Sequence, residues 1–177
     1  MVLLTEIKTS HVLYPCVESL LNSAFPSNER RDDAMQRFYT ENKDNFHCLV
    51  ATIDNSFVGF ITYWELTGFL YIEHLAVSSL YRCRGYGHKM LKRFMAFAPS
   101  PIVLEIEPPV DLVCKKRISF YQRCGMVLWD CDYLQPPYRL SDEWIKLCLM
   151  RTEPFPVPFF CVQAEIYREV YGIDLLN

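Results

Sequence analysis

The sequence predicts an α/β (α+β) fold, a central mixed, mostly antiparallel sheet of about seven strands flanked by helices. Three observations predict it. Aromatic and β-branched runs follow one another between residues 46 and 77 with only short turns between them, which is the spacing of an antiparallel meander. The third run leads through a basic, glycine-containing loop directly into helical periodicity. Beyond it, apolar runs of strand length alternate with helical segments, punctuated by proline and glycine.

Taken in order, residues 2–7 are apolar enough for a strand, and Thr9-Ser10 offers an N-cap to a segment whose Val12, Leu13, Cys16, Val17, Leu20 and Leu21 recur at helical spacing. Pro26-Ser27 opens a charged helix ending near Asn45, with Met35 and Phe38 or Tyr39 as its apolar stripe. The meander strands span 46–53, 57–66 and 69–77, turning at Asp54-Asn55-Ser56 and Thr67-Gly68. A helix over 88–98 carries Met90, Leu91, Phe94 and Met95 on one face, and Pro99 and Pro101 stop it before a strand at 102–107. Asp111 caps the next helix, 112–124, with Gly125 at the left-handed C-cap position. Strands at 126–134 and 144–150 follow, and a last amphipathic helix runs through Val162, Ile166 and Val170. The expected division is a domain over 2–151 and a C-terminal extension over 152–177.

Composition narrows the function classes. The chain has 177 residues, 51% hydrophobic and 15% aromatic, as a domain with a sizeable core requires. Eighteen basic against twenty-one acidic side chains leave a formal charge of -3, which argues against a nucleic-acid partner. No basic leader precedes an apolar stretch and no run nears the roughly 18 apolar residues of a membrane helix, so the expectation is a cytoplasmic protein without a membrane partner. The eight cysteines form no C-x-x-C pair and are expected reduced, with no metal bound. The apolar C-terminal segment would pack equally on its own domain or, in a homodimer, on a second copy.

The chemistry concentrates in Arg82-Cys83-Arg84-Gly85-Tyr86-Gly87-His88-Lys89, between a strand and a helix. Glycines let the backbone approach an anion, successive N–H groups and the helix dipole attract one, and the basic side chains add charge. The loop lacks the G-x-x-x-x-G-K-[ST] of a P-loop and the third glycine of a dinucleotide fingerprint. An ordinary solvated turn has the same composition.

Arg82-x-x-Gly85-x-Gly87 resembles the acyl-CoA pyrophosphate motif of the GNAT N-acetyltransferase superfamily. Ile72-Glu73-His74-Leu75-Ala76-Val77 is similar to the strand that precedes that motif, and Phe120-Tyr121-Gln122-Arg123-Cys124-Gly125-Met126 to a late helix of the family. The segments IEHLAV, LEIEPP and YLQPPY together resemble an uncharacterised bacterial branch. The likeness covers roughly residues 2–151. It implies a GNAT-like acyl-CoA N-acyltransferase fold and transfer of an acetyl group from acetyl-CoA, as co-substrate, to a primary amine by direct attack in a ternary complex. The alternative is a non-catalytic acyl-CoA-binding sensor or module.

The resemblance implies that main-chain groups at Leu75, Ala76 and Val77 hold the pantetheine arm and polarise the thioester carbonyl, while Arg82, Cys83, Arg84, Gly85, Tyr86, Gly87 and His88 bind the pyrophosphate. It implies that Tyr121 protonates the departing thiolate, and it brings Phe120, a core candidate by spacing, into the cofactor set. Strand alternation sets Glu73 on the face opposite His74. Glu73 is the first choice of general base, directly or through water, with His74 as fallback; a structural ion pair would equally explain Glu73. Glu105 and Glu107, two residues apart on a strand, share a face that would attract an ammonium acceptor, or else they balance Lys115, Lys116 and Arg117. Tyr133, Gln135 and Tyr138 are candidates to line the acceptor pocket.

Overall fold

The computed structural model describes residues 1–175; the last two positions of the extension expected at 152–177, Leu176 and Asn177, lie outside the described residues. The chain divides into two compact units, Met1–Glu65 with Ile72–Ala98, and Leu66–Tyr71 with the chain from Pro99 on.

The first unit opens with strand β1 (Leu3–Glu6) and helix α1 (Tyr14–Ala24). Thr9-Ser10 does not cap α1. The chain makes turns there, Leu13 N donates to His11 Nδ1 at 3.2 Å, and the helix begins with proline in its first turn, where no N–H is missed. A 3-10 turn over Ser27–Glu29 precedes α2 (Asp33–Asn42), which starts later than expected because Asp32, accepting from Met35 N at 2.8 Å, is its cap. The expected stripe also shifts. Met35 and Phe38 are exposed and the buried seam is Gln36 and Thr40, the Thr40 hydroxyl bonding the Gln36 carbonyl and the Tyr14 hydroxyl.

Strands β2 (Phe46–Ile53), β3 (Ser56–Leu66) and β4 (Phe69–Val77) form the meander. Asp54 and Asn55 both take positive φ (48° and 62°), the requirement of a tight two-residue hairpin turn. β1 pairs antiparallel with β2, and β2 with β3. One face of this sheet packs Cys48, Val50, Phe60 and Ala76 against Tyr14, Val17, Leu20 and Leu21 of α1. Residues of the other parity on β3, Gly59 and Tyr63, meet Met90 and Phe94 of α3 (Tyr86–Phe97).

The second unit contains β5 (Ile102–Ile106), α4 (Leu112–Arg123), β6 (Met126–Leu128), β7 (Tyr133–Gln135), β8 (Ile145–Thr152) and α5 (Phe159–Tyr171). β8 pairs antiparallel with β5, β6 and β7. The described strands number eight rather than seven, because the run expected at 126–134 breaks between Leu128 and Tyr133, where Asp130 and Asp132 disfavour strand. Asp111 caps α4 through Cys114 N at 2.8 Å, and Gly125 (φ 91°) follows it as expected. Val162, Ile166 and Val170 are the buried face of α5, and Glu165 pins that helix by accepting from the Thr67 amide and hydroxyl at 2.7 Å each. No helix among the described residues is long and apolar enough to cross a membrane.

Candidate functional site

In the first unit, β4 brings the chain to the basic loop. Leu75 and Val77 are half-buried and Ala76 is buried. Glu73 is partly exposed as a residue although its side chain is wholly covered, so the surface it shows is main chain. Gly59 of β3 makes room for this stretch: a Cβ there would stand 2.2 Å from the Ala76 carbonyl oxygen and 3.1 Å from Val77 Cα, so any side chain would displace β4.

Past Val77, the Ser78 amide donates to the Val58 carbonyl at 2.8 Å, a 3-10 turn covers Ser79–Tyr81, and Arg82 Nε donates back to the Val77 carbonyl at 3.0 Å. Cys83 (φ 59°) and Gly85 (φ 77°) are left-handed, and Gly85 is the N-cap of α3. No side chain caps that helix and no acid occupies its first turn. Its N–H groups and positive dipole end therefore meet an exposed loop carrying Arg82 and Arg84, a setting that suits a pyrophosphate. Tyr86, Gly87 and His88 are half-buried at the helix start. A cleft of about 390 Å3 lined by Cys16, Ser19, Ser23, Phe57, Ser78 and Arg82 lies alongside.

Glu73 and His74 do not point to opposite faces. Glu73 accepts from Trp64 Nε1 at 3.1 Å, and the His74 ring bonds the Thr62 hydroxyl at 3.1 Å. Thr62 and Trp64 lie two residues apart on β3 and hence on one face, so alternation breaks between Glu73 and His74, whose side chains come within 4.0 Å. Glu73 is ion-paired with Arg31 at 2.5 Å, with 0% and 5% of the two side chains exposed. The guanidinium also lies over Tyr39, Trp64 and Phe46, 4.5, 5.3 and 5.8 Å from the ring centroids. Because the Glu29 carbonyl can only accept, His74 Nε2 carries the proton at 3.1 Å and Nδ1 accepts from Thr62. Burial lowers the His74 pKa and favours the neutral ring.

In the second unit, Phe120 and Tyr121 are half-buried neighbours on α4, their rings 4.9 Å apart edge to face. Burial pushes the Tyr121 phenol up to about 12, so it keeps its proton through the neutral range. The two carboxylates expected on one face part company. Glu107, one residue beyond β5, pairs with Arg117 of α4, whereas Glu105 accepts from the Tyr133 hydroxyl of β7 and, at 2.9 Å, from the Tyr171 hydroxyl of α5. The Tyr138 ring packs on Tyr171 with centroids 4.9 Å apart. Burial, reinforced by the Glu105 charge, raises both Tyr133 and Tyr171 well above 10.0.

The model of the Acetyltransferase (GNAT) family matches residues 14–126. This chain belongs to the GNAT acetyltransferase family. It is 38% identical, with a TM-score of 0.93 over 97% of its length and 99% of the other's, to a solved structure from Bacteroides thetaiotaomicron named for the same family. A 106-residue stretch, 58% of the chain, is 30% identical to YjbC of Bacillus subtilis (strain 168), named for acetyltransferase activity; the chain spans about half, 52%, of that relative's length. A Bacillus subtilis acetyltransferase solved in complex with CoA has the same fold at 13% identity, with a TM-score of 0.61 over 88% of this chain and all of the other.

Within the GNAT frame, the residues singled out by sequence fall into local groups. Leu75, Ala76, Val77 and the Arg82–His88 loop are continuous along one segment, and Glu105 meets Tyr133 directly and Tyr138 through Tyr171. Glu107 is drawn off to Arg117. Sequence reasoning missed Arg31, Gly59, Tyr167 and Tyr171. A lone glycine inside a strand run was the signal for Gly59, and tyrosines four apart on a helix for the other pair.

Proposed function

We propose that this GNAT family member moves the acetyl group of acetyl-CoA onto a primary amine by direct attack in a ternary complex. Acetyl-CoA would supply an acetyl group activated as a thioester. The observation that carries the reading is the start of α3: a left-handed glycine N-cap, no capping side chain, no acid in the first turn, and Arg82 and Arg84 exposed beside it. Arg82, Cys83, Arg84, Gly85, Tyr86, Gly87 and His88 hold the pyrophosphate. Main-chain groups of Leu75, Ala76 and Val77 orient the pantetheine arm, and an N–H of that stretch polarises the acetyl carbonyl. Tyr121, with Phe120 beside it, donates its proton to the leaving sulfur. The amine proton leaves to water; Glu73, the base expected from sequence, is covered and held by Arg31 and Trp64 and serves instead to fix β4 beside the acetyl site. Glu105, with Tyr133 and Tyr138, receives the acceptor; Glu107 contributes charge at longer range.

The locked state of Glu73 also favours a second reading, an acyl-CoA-binding sensor without turnover. Thiol release from acetyl-CoA in the presence of a panel of small primary amines separates the two. Transfer predicts release, with kcat lowered about 10²- to 10⁴-fold in Tyr121→Phe while acetyl-CoA affinity stays unchanged. With the phenol at about 12, no alkaline loss of kcat arises from Tyr121 in the usual assay range. Tight acetyl-CoA binding without release, and no difference between wild type and Tyr121→Phe, would leave the sensor.

A further inference from the structure

The cleft beside the basic loop is built wholly from residues of the first unit, and its lining offers more than the loop alone. One wall is α1, whose Ser19 and Ser23 stand one turn apart on the same helix face. The other is the stretch after β4, with Ser78, Ser79 and Arg82. Phe57 of β3, half-buried against the core that β3 shares with α1, gives the cleft an aromatic surface. Among the described residues that line it, Arg82 alone carries a charge; no aspartate or glutamate faces it from either wall.

Arg82 is set in advance for an anion. Its Nε donates to the Val77 carbonyl at 3.0 Å, which holds the guanidinium in place and leaves both terminal nitrogens to donate elsewhere. Among the described residues it has no carboxylate partner. The hydroxyls of Ser19, Ser78 and Ser79 make no hydrogen bond within the described residues either, so three further donors are uncommitted. Ser23 spends its proton on the Leu20 carbonyl at 3.2 Å. A phosphomonoester matches this set: near neutral pH it carries about two negative charges on three terminal oxygens, which a guanidinium fork and neighbouring hydroxyls can share. A carboxylate, with one charge and fewer oxygens, would leave hydroxyls unanswered. The cleft, about 390 Å3, has room beyond the phosphate for the ring that bears it, with Phe57 to pack against.

We propose that this cleft is a phosphomonoester seat, in which a phosphate carried on a sugar ring is held between Arg82 and the serines of α1 and of the turn after β4. Two sources share that chemistry. One is the 3′-phosphate on the ribose of CoA, since Arg82 belongs both to the loop assigned to the pyrophosphate and to the wall of the cleft. The other is a separate phosphorylated sugar. The first source rests on the acyl-CoA reading; the seat itself does not. Either way α1, whose sequence shows only an apolar period, takes part in recognising a ligand.

The test is calorimetric titration of the full-length protein with CoA, with dephospho-CoA, which lacks only the 3′-phosphate, and with ribose 5-phosphate, the last alone and with dephospho-CoA present. Each is repeated on Ser19→Glu and Met35→Glu. Ser19→Glu sets a carboxylate in the cleft at an exposed helix position where glutamate is the better helix former, so the fold is retained. Met35→Glu adds the same charge at an exposed position of α2 that does not line the cleft. The expected result is CoA bound at least ~10-fold more tightly than dephospho-CoA by the wild type and by Met35→Glu, with that preference lost in Ser19→Glu. Equal affinity for CoA and dephospho-CoA, with ribose 5-phosphate bound by the wild type and not by Ser19→Glu, would uphold the seat and assign it to a separate phosphorylated sugar. No preference for CoA together with no binding of ribose 5-phosphate would overturn the proposal, as would a preference that Ser19→Glu leaves intact. If the wild type binds neither CoA nor dephospho-CoA, the acyl-CoA reading falls, and ribose 5-phosphate alone decides the fate of the seat.

Discussion

Glu73 and Glu105 are both strand carboxylates surrounded by aromatic rings, and what satisfies them differs in kind. Glu73 is met by a permanent internal cation, Arg31, which itself fills the cage formed by Tyr39, Phe46 and Trp64. Glu105 is met by neutral phenols from β7 and α5. A buried carboxylate neutralised within the chain is committed to the fold, because withdrawing its partner strands a charge. The hydroxyls that donate to Glu105 are neutral, so these contacts are hydrogen bonds and not an ion pair. The same residue type therefore sits in an ion pair in the first unit and accepts phenol hydroxyls in the second, and the aromatic rings alone would not tell them apart.

The sharpest way to break this contrast is to remove the cation. Arg31→Ala takes from the buried Glu73 carboxylate the guanidinium it is paired with, and a loss of about 3–5 kcal/mol in denaturant-measured stability is expected. Pairing Arg31→Met with Glu73→Gln should recover most of that loss; a single variant as stable as wild type would mean the pair anchors nothing. Glu105→Gln is expected to cost only about 1 kcal/mol, since the amide oxygen still accepts from a phenol, while its effect on amine binding is large. If Glu105→Gln unfolds the protein as Arg31→Ala does, both carboxylates are structural.

The smallest effect concerns pH. His74 is held neutral by burial, so its folded pKa lies below the ordinary 6.5. Below that value the unfolded chain takes up a proton that the folded chain refuses. The stability this group contributes is complete above 6.5 and is lost as pH falls toward the folded pKa, at up to about 1.4 kcal/mol per pH unit. His74→Gln keeps a donor for the Glu29 carbonyl and an acceptor for Thr62 without the titration. Its stability should fall less than that of the wild type between neutral and mildly acid pH; parallel curves would show that His74 does not titrate in this way.

The loop and the strand before it were legible because their information is local. Glycines at 85 and 87, flanking arginines and a following apolar period predict a glycine-led helix start with arginines beside it, and the structure has that start at Gly85 with Arg82 and Arg84 exposed. The Asp111 cap and Gly125 were legible for the same reason. The direction of Glu73 was not, since alternation assumes a regular strand and β4 breaks it between Glu73 and His74. Nor was its partner, which comes from 42 positions away in a segment that looked like the start of a charged helix. Of the two readings of Glu105 and Glu107, balance by a base of the next helix is the one Glu107 follows, since β5 ends at Ile106 and Glu107 pairs with Arg117. In α5 the valines and isoleucine dominate the periodic signal, and the hydroxyls of Tyr167 and Tyr171 acquire meaning only once a strand carbonyl and a carboxylate stand opposite them.

Acyl-CoA recognition by the Arg82–His88 loop underlies every functional statement, and calorimetric titration of acetyl-CoA into the wild type and an Arg82→Ala/Arg84→Ala variant tests it most directly. The account predicts binding to the wild type weakened at least ~10-fold in the variant, as expected for loss of two charged phosphate contacts. No binding to the folded wild type, or equal affinity in the two proteins, would contradict it.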